Sequence, residues 1–186
     1  MKNKVVNILI LEDSVDDAEM VVLELKRTKL LFTSKRVDTE DKFLELLEND
    51  EPDIIISDYY LPSFNGLYAL ELVKKLNKDI PVIIITGSRN EEVAMECIEN
   101  GAKDYVFKEH LARLGIAVFS CLEQKNANEK LKQNYELLKK NFEMLIETMA
   151  RVIEIRDPYT AGHQKRVAKL AVAIGKEMLM DAEKIE

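Results

Sequence analysis

An α/β fold, with a five-stranded parallel sheet doubly wound by helices, is what the first 125 residues of this sequence predict. Two observations carry the prediction. Apolar runs of strand length alternate with amphipathic segments of helix length, and strands alternating with helices imply right-handed βαβ units. The first, third and fourth runs are almost continuous Ile and Val, so those strands are buried on both faces, as helices on both sides of a sheet require.

The elements follow in order. VVNILIL (5–11) gives the first strand, and 15–28 the first helix. FTSKRVD (32–38), DIIIS (53–57), PVIIIT (81–86) and DYVFK (104–108) give the other four strands. The helices between them fall at 40–49, 66–77 and 91–100. Ser88 and Glu91 have the spacing of a capping box in front of the last of these, and Asn100-Gly101 has the form of its C-terminal stop. Beyond Leu111 the texture changes. Leu131, Tyr135, Leu138, Phe142, Leu145, Met149 and Val152 alternate by four and three, a heptad seam. Carried backwards, the frame passes through Asn128, Gln124, Cys121, Ala117 and Leu114. The expectation is therefore a long helix that pairs with a second copy through residues 114–152, with polar Asn128 favouring one register. Asp157-Pro158 breaks the pattern. A second amphipathic helix follows, with Val167, Leu170, Ala171, Ile174 and Met178 on one face. The expected organisation is an α/β domain at 1–125, a coiled-coil linker at 126–156 and a helical tail at 157–186.

Composition narrows the function. Apolar residues make up 47% and charged residues 33% of 186 positions, a globular balance. No apolar run approaches the roughly 18 residues of a membrane span. The start, MKNKVVNILILED, reads as a strand and not as a signal peptide. The expectation is a cytoplasmic protein, with Cys97 and Cys121 as reduced core thiols. The net charge is −7, and residues 1–125 hold 16 basic against 24 acidic side chains. That front half argues against nucleic acid as a direct partner.

In open α/β sheets function gathers at the carboxyl ends of the strands. This sequence puts Glu12-Asp13 after the first strand, Asp58 at the end of the third, Thr86 at the end of the fourth and Lys108 at the end of the fifth. Carboxylates brought together repel unless a cation holds them, and hard oxygen ligands suit Mg²⁺. A carboxylate beside such a metal can attack a phosphoryl donor, while the metal and a lysine neutralise the charge in transit. The rival on a flavodoxin-like fold is a flavin site, which needs a phosphate cradle after the first strand. The loop there reads LEDSVDDAE and repels phosphate.

ILEDS, DYYLPSFNG, IIITG and GAKDYVFK, in that order across residues 5–125, resemble the receiver domain of two-component response regulators. The resemblance implies that Asp58 accepts the phosphoryl group from a sensor histidine kinase. It implies that Glu12, Asp13, Asp58 and the backbone carbonyl of Tyr60 hold Mg²⁺. It makes Thr86 the switch hydroxyl, Lys108 the phosphate-pairing amine and Tyr105 the aromatic that reorients with it. Glu109 departs from the pattern, since many receivers have proline after the lysine. His110 is expected at a helix start or on the surface.

RDPYTAGHQKRVAKLA, from Arg156, resembles the first helices of HD-GYP phosphodiesterase domains, which hydrolyse cyclic di-GMP with two or three metal ions. By that resemblance His163 is an early metal ligand. The two histidines of the sequence, His110 and His163, are not followed by Asp, and there is no GYP triplet. A hydrolytic site needs three or four ligands. The tail therefore reads as the beginning of an output domain, without hydrolase activity of its own. Two alternatives accompany this reading: a cyclic di-GMP phosphodiesterase of which this is a shortened chain, and a stand-alone dimeric adaptor.

Overall fold

The computed structural model describes residues 5–62, 64–76, 78–87, 91–156 and 162–180. Five strands, β1 (Val6–Leu11), β2 (Phe32–Val37), β3 (Ile54–Asp58), β4 (Val82–Thr86) and β5 (Asp104–Phe107), form one sheet in the order β2-β1-β3-β4-β5. Every pairing is parallel. Between them run α1 (Val15–Lys26), α2 (Glu40–Asn49), α3 (Gly66–Lys75) and α4 (Glu91–Glu99). A 3₁₀ turn, Lys108–Arg113, leads into α5 (Leu114–Arg156), and α6 spans His163–Glu177.

The two faces of the sheet are filled by alternate residues of the same strands, as the two-residue period of a strand requires. Ile8, Ile10, Ile54, Ile56, Ile83 and Ile85 pack with Val21 and Leu25 of α1 and Leu114, Val118 and Leu122 of α5. Leu9, Leu11, Ile55 and Ile84 face the other way, onto Phe43 and Leu47 of α2, Leu70 and Val73 of α3 and Cys97 of α4. Both cysteines are buried and free, and burial, the leading cause at each, pushes their thiols up to about 11. Gly101, past the end of α4, takes a left-handed φ of 89°, the conformation of a glycine helix stop. Ser88 of the expected capping box and the break at Asp157-Pro158 lie outside the described residues.

The chain divides into two compact units, Met1–Asn128 and Glu129–Glu186. One expectation fails at that division. Leu114, Ala117 and Cys121, assigned above to a seam with a second chain, are 0%, 2% and 5% exposed and belong to the protein's own core. The stripe is real, but its first turns cover β-sheet. From Leu131 to Val152 the same stripe is bare, each seam residue between 58% and 70% exposed. Val167, Leu170 and Ile174 of α6, and Met178 just after it, are likewise exposed. Among the described residues, no helix is long and apolar enough to cross a membrane.

Candidate functional site

The strand order changes direction at β1: its chain continues to β2 on one side, and β3 lies on the other. The crevice at the carboxyl ends of β1 and β3 is thus open to side chains from several elements. Among the described residues four polar side chains are buried: Glu12, Ser57, Asp58 and Thr86. All four stand at that end of the sheet. Burying carboxylates costs free energy unless partners compensate, so the partners define the site.

Lys108, directly after β5, is the shared partner. Its Nζ lies 2.6 Å from Asp58 Oδ2, 3.3 Å from Glu12 Oε2 and 2.5 Å from Asp17 Oδ2. The backbone N–H of Tyr60 donates to Asp58 Oδ1 at 3.1 Å, so both oxygens of that carboxylate are engaged. The Ser57 hydroxyl donates to the Asp58 carbonyl at 2.9 Å. Arg36 Nη1 donates to the carbonyls of Glu12 (2.8 Å) and Asp13 (3.3 Å) and so fixes the loop after β1. Gly66 fits against the end of β3 because it has no side chain: a Cβ there would stand 2.7 Å from the Asp58 carbonyl oxygen.

The electrostatics follow from burial. Desolvation, and after it the charge of Asp58, pushes the Glu12 carboxyl from 4.5 up to about 7. At Lys108 burial works against the ammonium, but contacts with Asp17 and Asp58 and the nearby Glu12 outweigh it, and the group is held above its ordinary value. Tyr59, whose hydroxyl donates to Glu96 at 3.1 Å, is pushed up to about 12 by desolvation first and by Glu96 second.

Of the residues singled out in the sequence, Glu12, Asp58 and Lys108 come together directly. Thr86 is fully buried at the end of β4. Asp13 is exposed, and Tyr60 is 60% exposed. Tyr105, in β5, packs edge-on against Phe107 at 5.4 Å, with the Arg113 guanidinium 5.7 Å from its ring. His110 is exposed in the 3₁₀ turn, and no cis peptide bond occurs among the described residues. His163 is exposed at the start of α6. Asp17 was not singled out. It lies on the first turn of α1, and the carboxylate oxygens of Glu12, Asp17 and Asp58 lie within 4.8 Å of one another. Its signal in the sequence was its place one helical turn beyond Glu12-Asp13, where a helix folds back over the strand end it came from.

Three clustered carboxylates with a single ammonium among them suit a hard divalent cation, so the residues present fit Mg²⁺.

Comparison with known proteins identifies the family of the domain. Residues 8–119 match the family profile described as response regulator receiver domain. The protein is 33% identical over 103 residues to the phosphate regulon transcriptional regulatory protein PhoB of Klebsiella pneumoniae, covering 54% of this chain and 44% of that one. It is 46% identical over 67 residues to a protein-glutamate methylesterase/protein-glutamine glutaminase of Treponema pallidum (strain Nichols), covering 35% of this chain and 17% of that one. The signal receiver domain of a putative LuxO repressor protein from Vibrio parahaemolyticus superposes with a TM-score of 0.63 at 24% identity, over 69% of this chain and 98% of that one. The chain spans less than half the length of these curated relatives, whose names denote different activities.

Proposed function

The chain belongs to the response regulator receiver family, and from that premise we propose that Asp58 is its phosphoacceptor, serving a sensor histidine kinase in a phosphorelay. The observation that carries the reading is the contact of Lys108 Nζ with Asp58 Oδ2 at 2.6 Å, beside buried Glu12. The Asp58 carboxylate attacks the phosphorus of a phosphohistidine. A P–O bond forms as the P–N bond breaks, and the electron pair leaves with the imidazole. Lys108 then donates to the phosphoryl oxygens, and the Thr86 hydroxyl supplies a second donor. Bound Mg²⁺, held by Glu12, Asp13, Asp58 and the Tyr60 carbonyl, would supply the positive charge that the three added oxygens require.

The reading extends to output. Phosphorylation biases a two-state balance in the face of α4, β5 and α5, and the bare stripe of α5 passes it on by pairing with a second copy. That pairing runs along Leu131–Val152, because the earlier turns are already buried. The stretch RDPYTAGHQKRVAKL supports an output of HD-GYP type, with His163 as one ligand and a cyclic di-GMP phosphodiesterase as the whole. A His-Asp pair and a GYP triplet encoded after residue 186 would carry that reading; a dimeric adaptor is the alternative.

Light scattering and thermal melting test the core of it. The protein is measured with Mg²⁺, with Mg²⁺ and beryllofluoride as an aspartyl-phosphate mimic, and again as Asp58→Asn. The wild type should change in mass or melting temperature with the mimic, and Asp58→Asn should not. An identical response in both would remove Asp58 from the mechanism. A monomer in every sample would remove the pairing of α5.

A further inference from the structure

Asp17 belongs to the carboxylate cluster but has no part in the phosphoryl transfer proposed above. The ordinary reasons for an acid in this place do not account for where its carboxylate goes. Acids in the first turn of a helix are favourable at its positive end, and exposed Asp16 meets that need equally well. Ser14 caps α1, its hydroxyl accepting from the Asp17 N–H at 3.3 Å. An acid at this third helical position commonly reaches back to the N–H of the capping residue. Here the Ser14 N–H donates to Glu12 Oε1 at 3.2 Å instead. Asp17 accepts from Lys108 at 2.5 Å.

The Lys108 ammonium thus contacts three carboxylates at once, at two depths of the site. One is the buried floor, Asp58 and Glu12, with side chains 7% and 3% exposed. The other is Asp17 at the rim, 38% exposed. A phosphoryl group arriving on Asp58 needs this ammonium, and whatever else holds the ammonium competes with it.

We propose that Asp17 is a positioning residue that acts through Lys108: it shares the ammonium with Asp58 and Glu12 and gives up its share to the phosphoryl oxygens. The inference rests on Asp58 being the phosphoacceptor.

A double-mutant cycle tests it. Beryllofluoride affinity in saturating Mg²⁺ is read from the rise in melting temperature across a titration. The proteins are wild type, Asp17→Asn, Lys108→Ala and the double variant, with each first melted without ligand to establish that it folds. Loss of the Asp17 charge favours any anion at the site, and this general effect is the same with or without the lysine. The specific effect is not. Asp17→Asn should tighten the mimic about fivefold more in the Lys108 protein than in Lys108→Ala, the scale of a partly exposed ion pair. Asp17→Glu, which keeps the charge, should stay within about twofold of wild type by the same reasoning. Equal tightening in both backgrounds overturns the proposal, since Asp17 would then act as bare charge. So does the absence of tightening. If wild type binds the mimic, Asp58→Asn does not, and the cycle is flat, only the role of Asp17 falls. If wild type does not bind, the phosphoacceptor reading falls with it.

Discussion

Raising the pH of the metal-free protein should weaken it, and Glu12 sets the amount. Its carboxyl is 2% exposed and pushed from 4.5 up to about 7. Between those two values the native state keeps a proton that the unfolded chain has lost. Stability therefore falls as pH rises through the window and is level on either side of it. At 1.36 kcal/mol for each pH unit of displacement, the full fall is about 3 kcal/mol. Lys108 adds no slope here, because an ammonium held above its ordinary value stays charged throughout the window. The assay is urea denaturation in EDTA at several values from pH 4.5 to 8, on wild type and Glu12→Gln. Other carboxylates contribute to both proteins and cancel in the difference. That difference should shift by about 3 kcal/mol across the window. Saturating Mg²⁺, which requires ionised Glu12, should flatten or reverse the wild-type fall. Parallel curves for the two proteins would refute the reasoning and show that Glu12 ionises in the folded protein as it does in water.

Gly66→Ala places a Cβ 2.7 Å from the Asp58 carbonyl oxygen and 3.1 Å from Ile84 Cδ1. It should lower stability by about 2 kcal/mol, the scale of overpacking, and weaken beryllofluoride binding together with it, as thermal melting would register. Leu114→Ala and Leu138→Ala separate the two halves of the α5 stripe. The first, fully buried, should cost about 3 kcal/mol in denaturation at low protein concentration. The second, 68% exposed, should leave that midpoint in place and lower the mass seen by light scattering.

Much of this protein was legible in its sequence because the relevant information is local. Strand and helix periods, the double-sided burial of IIIS and VIIIT, and the turn at Asn100-Gly101 each follow from a few neighbouring residues, and the structure has all of them. Glu12, Asp58 and Lys108 were found because parallel strands bring their carboxyl ends to one side, whatever the spacing in the chain. Two things were decided only in three dimensions. A heptad pattern records that a stripe is covered, not what covers it, so Leu114, Ala117 and Cys121 looked like Leu131 and Leu138 until the sheet was seen to claim them. Asp13 and Asp17 are the same residue type, four positions apart in the sequence. Which one reaches Lys108 depends on how the chain enters α1, where Ser14 and Arg36 make hydrogen bonds around the loop after β1.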